Sequence, residues 1–279
     1  MIPILLWSSS FALIRSSVMY FGPGELALFR FLTASLVLIP FLIIRKSRLP
    51  ANTDIIPFLL TGFIGIGIYH YCLNAGERSI TAGTAGFLSA TTPVFTAIFG
   101  FFFLKEQSSF KTWIGLFVSL LGIAIISFGE SGFGKIKYGT LLVLASAASG
   151  AVYVIYQKKL LIKYSPLEVT AYSIIAGTFI LMFYFPTMFK QSISAPLSAN
   201  IEALYLGIFP AAIAYLIWTV LLPQFQSATH TTTYLYFIPV FSSVFAYLIL
   251  REIPQPTQIL GGLLTMAGVV LSNYRKKEY

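Results

Sequence analysis

Apolar runs of about 20 residues, separated by short groups carrying charge, proline or glycine, follow one another along almost the whole chain. About 20 apolar helical residues, rising 1.5 Å each, cover the ~30 Å of hydrocarbon in a bilayer. The pattern therefore predicts ten crossing helices, at about 2–20, 24–44, 55–75, 80–104, 110–128, 138–157, 165–186, 201–222, 228–250 and 256–274. Their connections are too short to fold by themselves. The first run lacks a basic leader and a second apolar run follows at once, so it reads as a helix rather than a cleaved signal.

The runs repeat. At an offset of 146 residues Pro93, Val94, Phe95 and Phe99 match Pro239, Val240, Phe241 and Phe245. The match continues through Leu104/Leu250, Glu106/Glu252, Gly115/Gly261 and Gly122/Gly268, with Lys105 opposite Arg251. A weaker match at offset 143 pairs Pro23 with Pro166 and Glu25 with Glu168. The period is too long for a solenoid and describes a duplicated half-protein, with units expected at 1–134 and 135–279. Five spans per unit is an odd number, so the second copy enters the bilayer upside down. The expected fold class is an all-α membrane protein with ten transmembrane helices in two inverted five-helix repeats, a plan that secondary transporters use to enclose a midplane site.

Composition agrees with a membrane protein and adds orientation. Of 279 residues 57% are hydrophobic and only 10% charged, against roughly a quarter charged in soluble domains. The net charge of +9 reads as loop bias, since no basic run is interleaved with aromatics as a nucleic-acid surface would be. With the N-terminus inside, eleven basic residues fall on the cytoplasmic side: Arg45, Lys46, Arg48, Lys105, Lys111, Lys158, Lys159, Lys163, Arg275, Lys276 and Lys277. Five fall outside: Arg78, Lys135, Lys137, Lys190 and Arg251. Both termini are thus expected in the cytoplasm, with the chain in the inner (plasma) membrane. The lone Cys72 has no disulfide partner and is expected to pack.

These residues resemble the EamA-type branch of the drug/metabolite transporter superfamily along essentially the whole chain. The resemblance rests on Trp7 through Phe11, on Leu28-Phe-Arg30-Phe, and on two copies of Pro-Val-Phe followed by Leu-Lys-Glu or Leu-Arg-Glu and spaced glycines. It implies ten helices in two repeats and export of amino acids and their derivatives, with nucleobase-like or cofactor-like metabolites as the alternative cargo. The chain departs from the family pattern at Ser8, where glycine is more usual, and at Ser173, which stands where the second half would match Arg30.

Candidate site residues come from polarity within the spans. Arg30 lies about six residues into its helix, roughly 9 Å deep, where a charge faces an interior or a cavity. Its functional reading is a counter-charge for a solute carboxylate; its structural readings are pairing with Glu25 or backbone carbonyls, or snorkelling. Arg15 is a weaker candidate of the same kind. His70 and His230 could titrate near neutrality or stay neutral and hydrogen-bonded. Every Asp and Glu, Glu77 included, falls at a span end or in a loop, which argues against an embedded-carboxylate proton relay. Tyr69, His70, Asn74, Thr84, Ser89, Thr91 and Thr92 cluster on the third and fourth spans, and Tyr215, Trp218, Thr231, Tyr234 and Tyr236 on the eighth and ninth. Together with Trp7, Arg30 and Tyr153, the members Tyr69, His70, Asn74, Thr91, Tyr215, Trp218 and Tyr234 form the expected substrate-binding set, suited to an uncharged or zwitterionic, partly apolar solute. Pro93 and Pro239 are expected to break their helices as packing kinks or gates. The glycines at 62, 65 and 67 and the pairs Gly115/Gly122 and Gly261/Gly268 are expected to let helices approach closely.

Other chemistries lack their signatures. There is no phosphate-binding G-x-x-x-x-G-K-[ST], no H-E-x-x-H, no Cys/His metal cluster and no Ser-His-Asp pattern, so no catalytic residue, cofactor or metal is expected. An intramembrane lipid-modifying enzyme would need acid, base or nucleophile at the interface, and a purely structural subunit would not explain matched polar helices. The expected partners are a small-molecule solute and the lipid bilayer, not nucleic acid, with the chain a monomer or weak homodimer. The expected function is alternating-access carriage through a central aromatic cavity.

Overall fold

The computed structural model describes residues 1–104, 110–131, 137–224, 235 and 237–273, and among these all regular structure is helical. Pattern and caps together account for the segments. Helix α1 (Ile2–Ser17) has Pro3 in its first turn, and α2 (Pro23–Ile44) opens on Pro23 with Glu25 beside its positive N-terminal dipole. Helix α2 closes where Lys46 turns left-handed (φ 49°), letting Lys46 N–H and Ser47 N–H bond back to Ile43 and Leu42 carbonyls. Next come α3 (Asn52–Gly76) and α4, which runs as Ala82–Ser89 and resumes as Thr92–Leu104. Helices α5 (Phe110–Ser131) and α6 (Tyr138–Leu160) follow. Helix α7 (Pro166–Ser194) starts with a capping box in which Ser165 and Glu168 satisfy each other's backbone N–H groups. Helices α8 (Leu197–Gln224), α9 (Ile238–Leu250) and α10 (Pro256–Asn273) complete the described chain.

Seven of these, α2 through α8, are long and apolar enough to cross a membrane. The expectation of ten crossing helices is met to that extent. Helix α1 has 16 residues and α9 has 13, so at 1.5 Å per residue they reach only about 24 and 20 Å. Large apolar side chains face outward, with Phe183 85%, Phe179 73% and Ile43 70% exposed. Small hydroxyls such as Ser8, Thr61, Ser146, Thr170 and Thr219 lie inside. That is the reverse of a water-soluble surface and fits a hydrocarbon surround, in which backbone groups are satisfied within helices.

Helices from the two halves of the chain interleave. Helix α1 packs on α8 and α9, while α6 packs on α3 and α4. Two contacts run between helices at matching sequence positions. On α2 and α7, Ser35 Oγ and Thr178 Oγ1 are 2.9 Å apart, and these residues are 143 apart in sequence. On α5 and α10, Ser119 Oγ donates to Thr265 carbonyl (3.1 Å) and Thr265 Oγ1 to Ser119 carbonyl (3.4 Å), 146 residues apart.

Most of these glycines lie where helices approach, as their spacing predicts; Gly67 does not, since a Cβ there would meet only Gly62 carbonyl and Phe63 of its own helix, at 3.8 Å. A Cβ at Gly122 would lie 2.5 Å from Gly261 carbonyl, and one at Gly268 would lie 2.5 Å from Gly115 carbonyl, so α5 and α10 meet backbone to backbone. A Cβ at Gly62 would strike Gly177 and Ala176 of α7, and one at Gly207 would strike Thr33 and the Arg30 carbonyl of α2. Both Gly62 and Gly207 open π-helical stretches, Gly62–Ile68 in α3 and Gly207–Ala214 in α8. A π turn widens a helix locally and is concentrated at functional sites.

Candidate functional site

The π turns deliver rings to the interior. Tyr69 follows directly on the first and Tyr215 on the second, so each leaves its widened turn with the side chain turned inward. Tyr69, His70, Tyr153, Tyr215 and Trp218 line one cavity of ≈ 70 Å³, with Trp7 and Phe11 contributed by α1. Arg30, Ser10, Ser89 and Thr92 supply its polar wall. One water needs about 10–15 Å³ of such space, so the cavity admits a solute of a few heavy atoms.

The rings fix one another. Trp7 stands edge-on to Tyr215 at 5.4 Å and to Trp218 at 5.2 Å, favoured geometries for aromatic pairs. Its indole N–H donates to the Pro210 carbonyl (3.0 Å), inside the second π stretch. His70 Nε2 and Tyr215 hydroxyl are 2.9 Å apart, and Phe31 lies 4.4 Å from the imidazole. Gln157 donates to Tyr153 hydroxyl (2.9 Å) and Thr219 hydroxyl (3.1 Å), which orients Tyr153 at the base of the cavity.

The lining is lopsided. The offset of 143 places Gly150 where the second half matches Trp7, and the offset of 146 relates Tyr69 to Tyr215. Trp7 thus covers Tyr215, whereas the matching position beside Tyr69 is Gly150, where a Cβ would stand 3.0 Å from the Tyr69 ring, and Tyr69 itself packs edge-on to His70 at 4.6 Å.

Arg30 is 2% exposed, so it faces the protein interior and not the lipid surface. Its Nη1 donates to Asn74 Oδ1 at 3.4 Å, its guanidinium carbon lies 5.8 Å from the Phe31 ring centre, and its Nε has no hydrogen-bond partner among the described residues. Glu25 is engaged elsewhere, accepting from Thr187 hydroxyl (2.8 Å), so the Glu25–Arg30 pairing entertained from the sequence is not formed. Asn74 donates to Pro23 carbonyl (2.9 Å) and holds Arg30 in place without itself lining the cavity. Arg15 does not snorkel: its Nη1 donates to Glu77 carbonyl and its Nε lies 3.9 Å from Glu252 Oε1.

Of the expected set, Trp7, Arg30, Tyr69, His70, Tyr153, Tyr215 and Trp218 meet at the cavity. Thr91 does not: it sits at the break in α4, and its hydroxyl turns back to Leu88 carbonyl (2.6 Å). Tyr234, with Thr231, Tyr236 and His230, lies outside the described residues. Pro93 and Pro239 sit in the first turns of Thr92–Leu104 and Ile238–Leu250, where their missing N–H costs nothing. The α4 break therefore falls ahead of Pro93, at Ala90 and Thr91. Gly65, expected from its spacing to serve close helix approach, also lines the cavity, as do Gly150, Val154, Leu235 and Ile238, which carry no sequence signal of their own, since small and apolar residues are common throughout the chain. Among the described residues no group of His, Cys, Asp and Glu is arranged to hold a metal ion.

Known proteins share this architecture. The chain is 34% identical to "Uncharacterized transporter YdfC" of Bacillus subtilis (strain 168), over 95% of this chain and 86% of that protein. It is also 34% identical to a "Probable terminal-alkyne amino-acid exporter" of Streptantibioticus cattleyicolor, over 98% of this chain and 91% of the relative. One protein of known crystal structure superimposes with a TM-score of 0.68 at 20% identity, covering 97% of this chain and 93% of its own, a likeness of fold. These relatives are transporters rather than enzymes, which excludes the lipid-modifying reading. The model of the EamA-like transporter family matches residues 1–128 and again 137–274, and the chain belongs to that family of multi-pass membrane transporters.

Proposed function

We propose that the chain carries small amino acids and their derivatives, those with apolar side chains foremost, by alternating access through the ring-lined cavity, and that it works as an exporter. The observation that carries this is the placement of a buried cation, Arg30, in a wall otherwise made of rings, small hydroxyls, glycines and aliphatic side chains. A carboxylate is the natural partner of a desolvated guanidinium. The faces of Trp7, Tyr215 and Trp218 favour an ammonium or an apolar side chain. The exporter of terminal-alkyne amino acid, a small apolar derivative, is in keeping with that cargo.

The carrier reading rests on ten spans in two inverted halves. It is supported by the family match to 1–128 and 137–274 and by the paired π stretches. The Ser35/Thr178 contact and the reciprocal Ser119/Thr265 pair have the form expected along a pseudo-two-fold axis. In this arrangement both termini lie in the cytoplasm of the inner membrane, Pro93 and Pro239 mark the starts of two gating segments, and Tyr234 belongs to the solute-binding set.

Flux of labelled leucine, phenylalanine and their amides in liposomes tests the reading. Arg30→Ala is expected to cut carboxylate flux at least tenfold and amide flux far less. Equal loss for both would make Arg30 structural, and absence of flux for every amino acid would end the proposal.

A further inference from the structure

Glu77 follows the last residue of α3 and is 0% exposed, yet neither carboxylate oxygen has a hydrogen-bond partner among the described residues. A buried charge persists only when paired. Three elements carry charge close enough to act on it electrostatically: α2 through Arg30, α1 through Arg15, and the turn after α9 through Glu252. On the α6 side Gly76 meets Val143 and Gly139, which carry none. On its own helix, Tyr69 and His70 lie two turns away toward the cavity.

Of the two cations only Arg15 is already committed elsewhere. Arg15 is tied to the Glu77 carbonyl and approaches Glu252, whose Oε2 accepts from Ala82 N–H (2.9 Å). Arg30 keeps an unpartnered Nε and only one long hydrogen bond to a side chain, at 3.4 Å. Arg30 and Glu77 are thus complementary groups, both buried and both short of partners, with Asn74 one turn from Glu77 standing beside the guanidinium.

We propose that Arg30 is shared between Glu77 and the carboxylate of the transported solute, so that solute binding is coupled to uptake of one proton by Glu77. In the empty carrier the ionised Glu77 relies on the field of Arg30. A solute carboxylate that engages Arg30 takes over that field and adds a second negative charge to a low-dielectric region. One proton from water then joins a Glu77 oxygen, giving the neutral acid, and it leaves when the solute does. Asn74 and Pro23 keep the guanidinium within reach of both partners. This extends the carboxylate-binding reading of Arg30 given above and falls with it only if no carboxylate-bearing solute binds.

Linkage gives the sign. A proton taken up with the solute means affinity weakens as pH rises, by up to tenfold in Kd per pH unit between the proton affinities of the free and loaded states. Calorimetric titration of the full-length protein in detergent, in buffers of different ionisation enthalpy from pH 5 to 7, where the ammonium groups of leucine and leucinamide both keep their proton, reads the proton count of the protein directly. With leucine, uptake is expected to climb toward one proton per solute somewhere in that range; with leucinamide it stays near zero. Glu77→Gln is expected to bind leucine with no buffer dependence and a flat Kd across pH. Uptake near zero for wild type at every pH overturns the proposal without any variant, as does uptake that survives in Glu77→Gln and disappears in His70→Gln. Absence of binding by leucine, phenylalanine and both amides would instead overturn the solute assignment.

Discussion

A methyl group added at Gly150 would stand 3.0 Å from Tyr69 Cε2 and 3.2 Å from Cδ2, so the ring must yield by a few tenths of an ångström. Gly150→Ala is expected to raise KM for the carried solute several-fold in liposome flux while expression and thermal stability hold. An unchanged KM would place the solute away from Tyr69. Residues of this kind explain what the sequence could and could not reveal. Arg30 is legible because a charge inside an apolar run costs too much to be incidental, Tyr69, Tyr215 and Trp218 because rings cluster on matched spans, and Trp7 through the motif it opens. Gly150 was not legible: it is one small residue in a helix rich in Ala and Ser, and its meaning comes from the ring opposite. Glu77 was read as a span-end residue, and so it is. What hides it is the closure of α1, α2 and the α9 turn over one spot, which no single helix's pattern records.

Among the elements, α5 and α10 show how short-range spacing becomes long-range packing. Gly122→Val would push a side chain into Gly261 carbonyl and Thr265, and no flexible group lies there to give way. A loss on the order of 1–3 kcal/mol is expected from such overpacking, read as a clear drop in the apparent Tm of the purified protein. Gly83→Ala is the control, because its Cβ would have only Ser243 Oγ within reach, at 3.9 Å, and its Tm should hold or rise slightly. A Tm unaffected by Gly122→Val would mean that α5 and α10 do not meet at these glycines. The glycine pairs at seven-residue spacing made this contact readable from sequence. The π stretches were not readable: Gly62-Phe-Ile-Gly-Ile-Gly67 suggested close approach, but a widened turn arises from where α7 presses on the helix, which is a tertiary cause.

For the whole molecule, the two offsets, 143 and 146, were visible in the sequence because identities survive where backbones touch and where prolines start helices. The sidedness they imply has a direct check. With Cys72 replaced by Ser, single cysteines at Lys105 and Arg251 are expected to react with a membrane-impermeant maleimide from opposite compartments; labelling from one side would end the inverted arrangement. A carrier with two flipped halves of identical lining would spend equal time open to either compartment, since each state would be the mirror of the other. On the proposed inverted arrangement, an indole on one half matched by a bare backbone on the other would lift that degeneracy, so that one compartment would be favoured at rest and an empty carrier would wait for its cargo facing a preferred direction before any gradient acts on it.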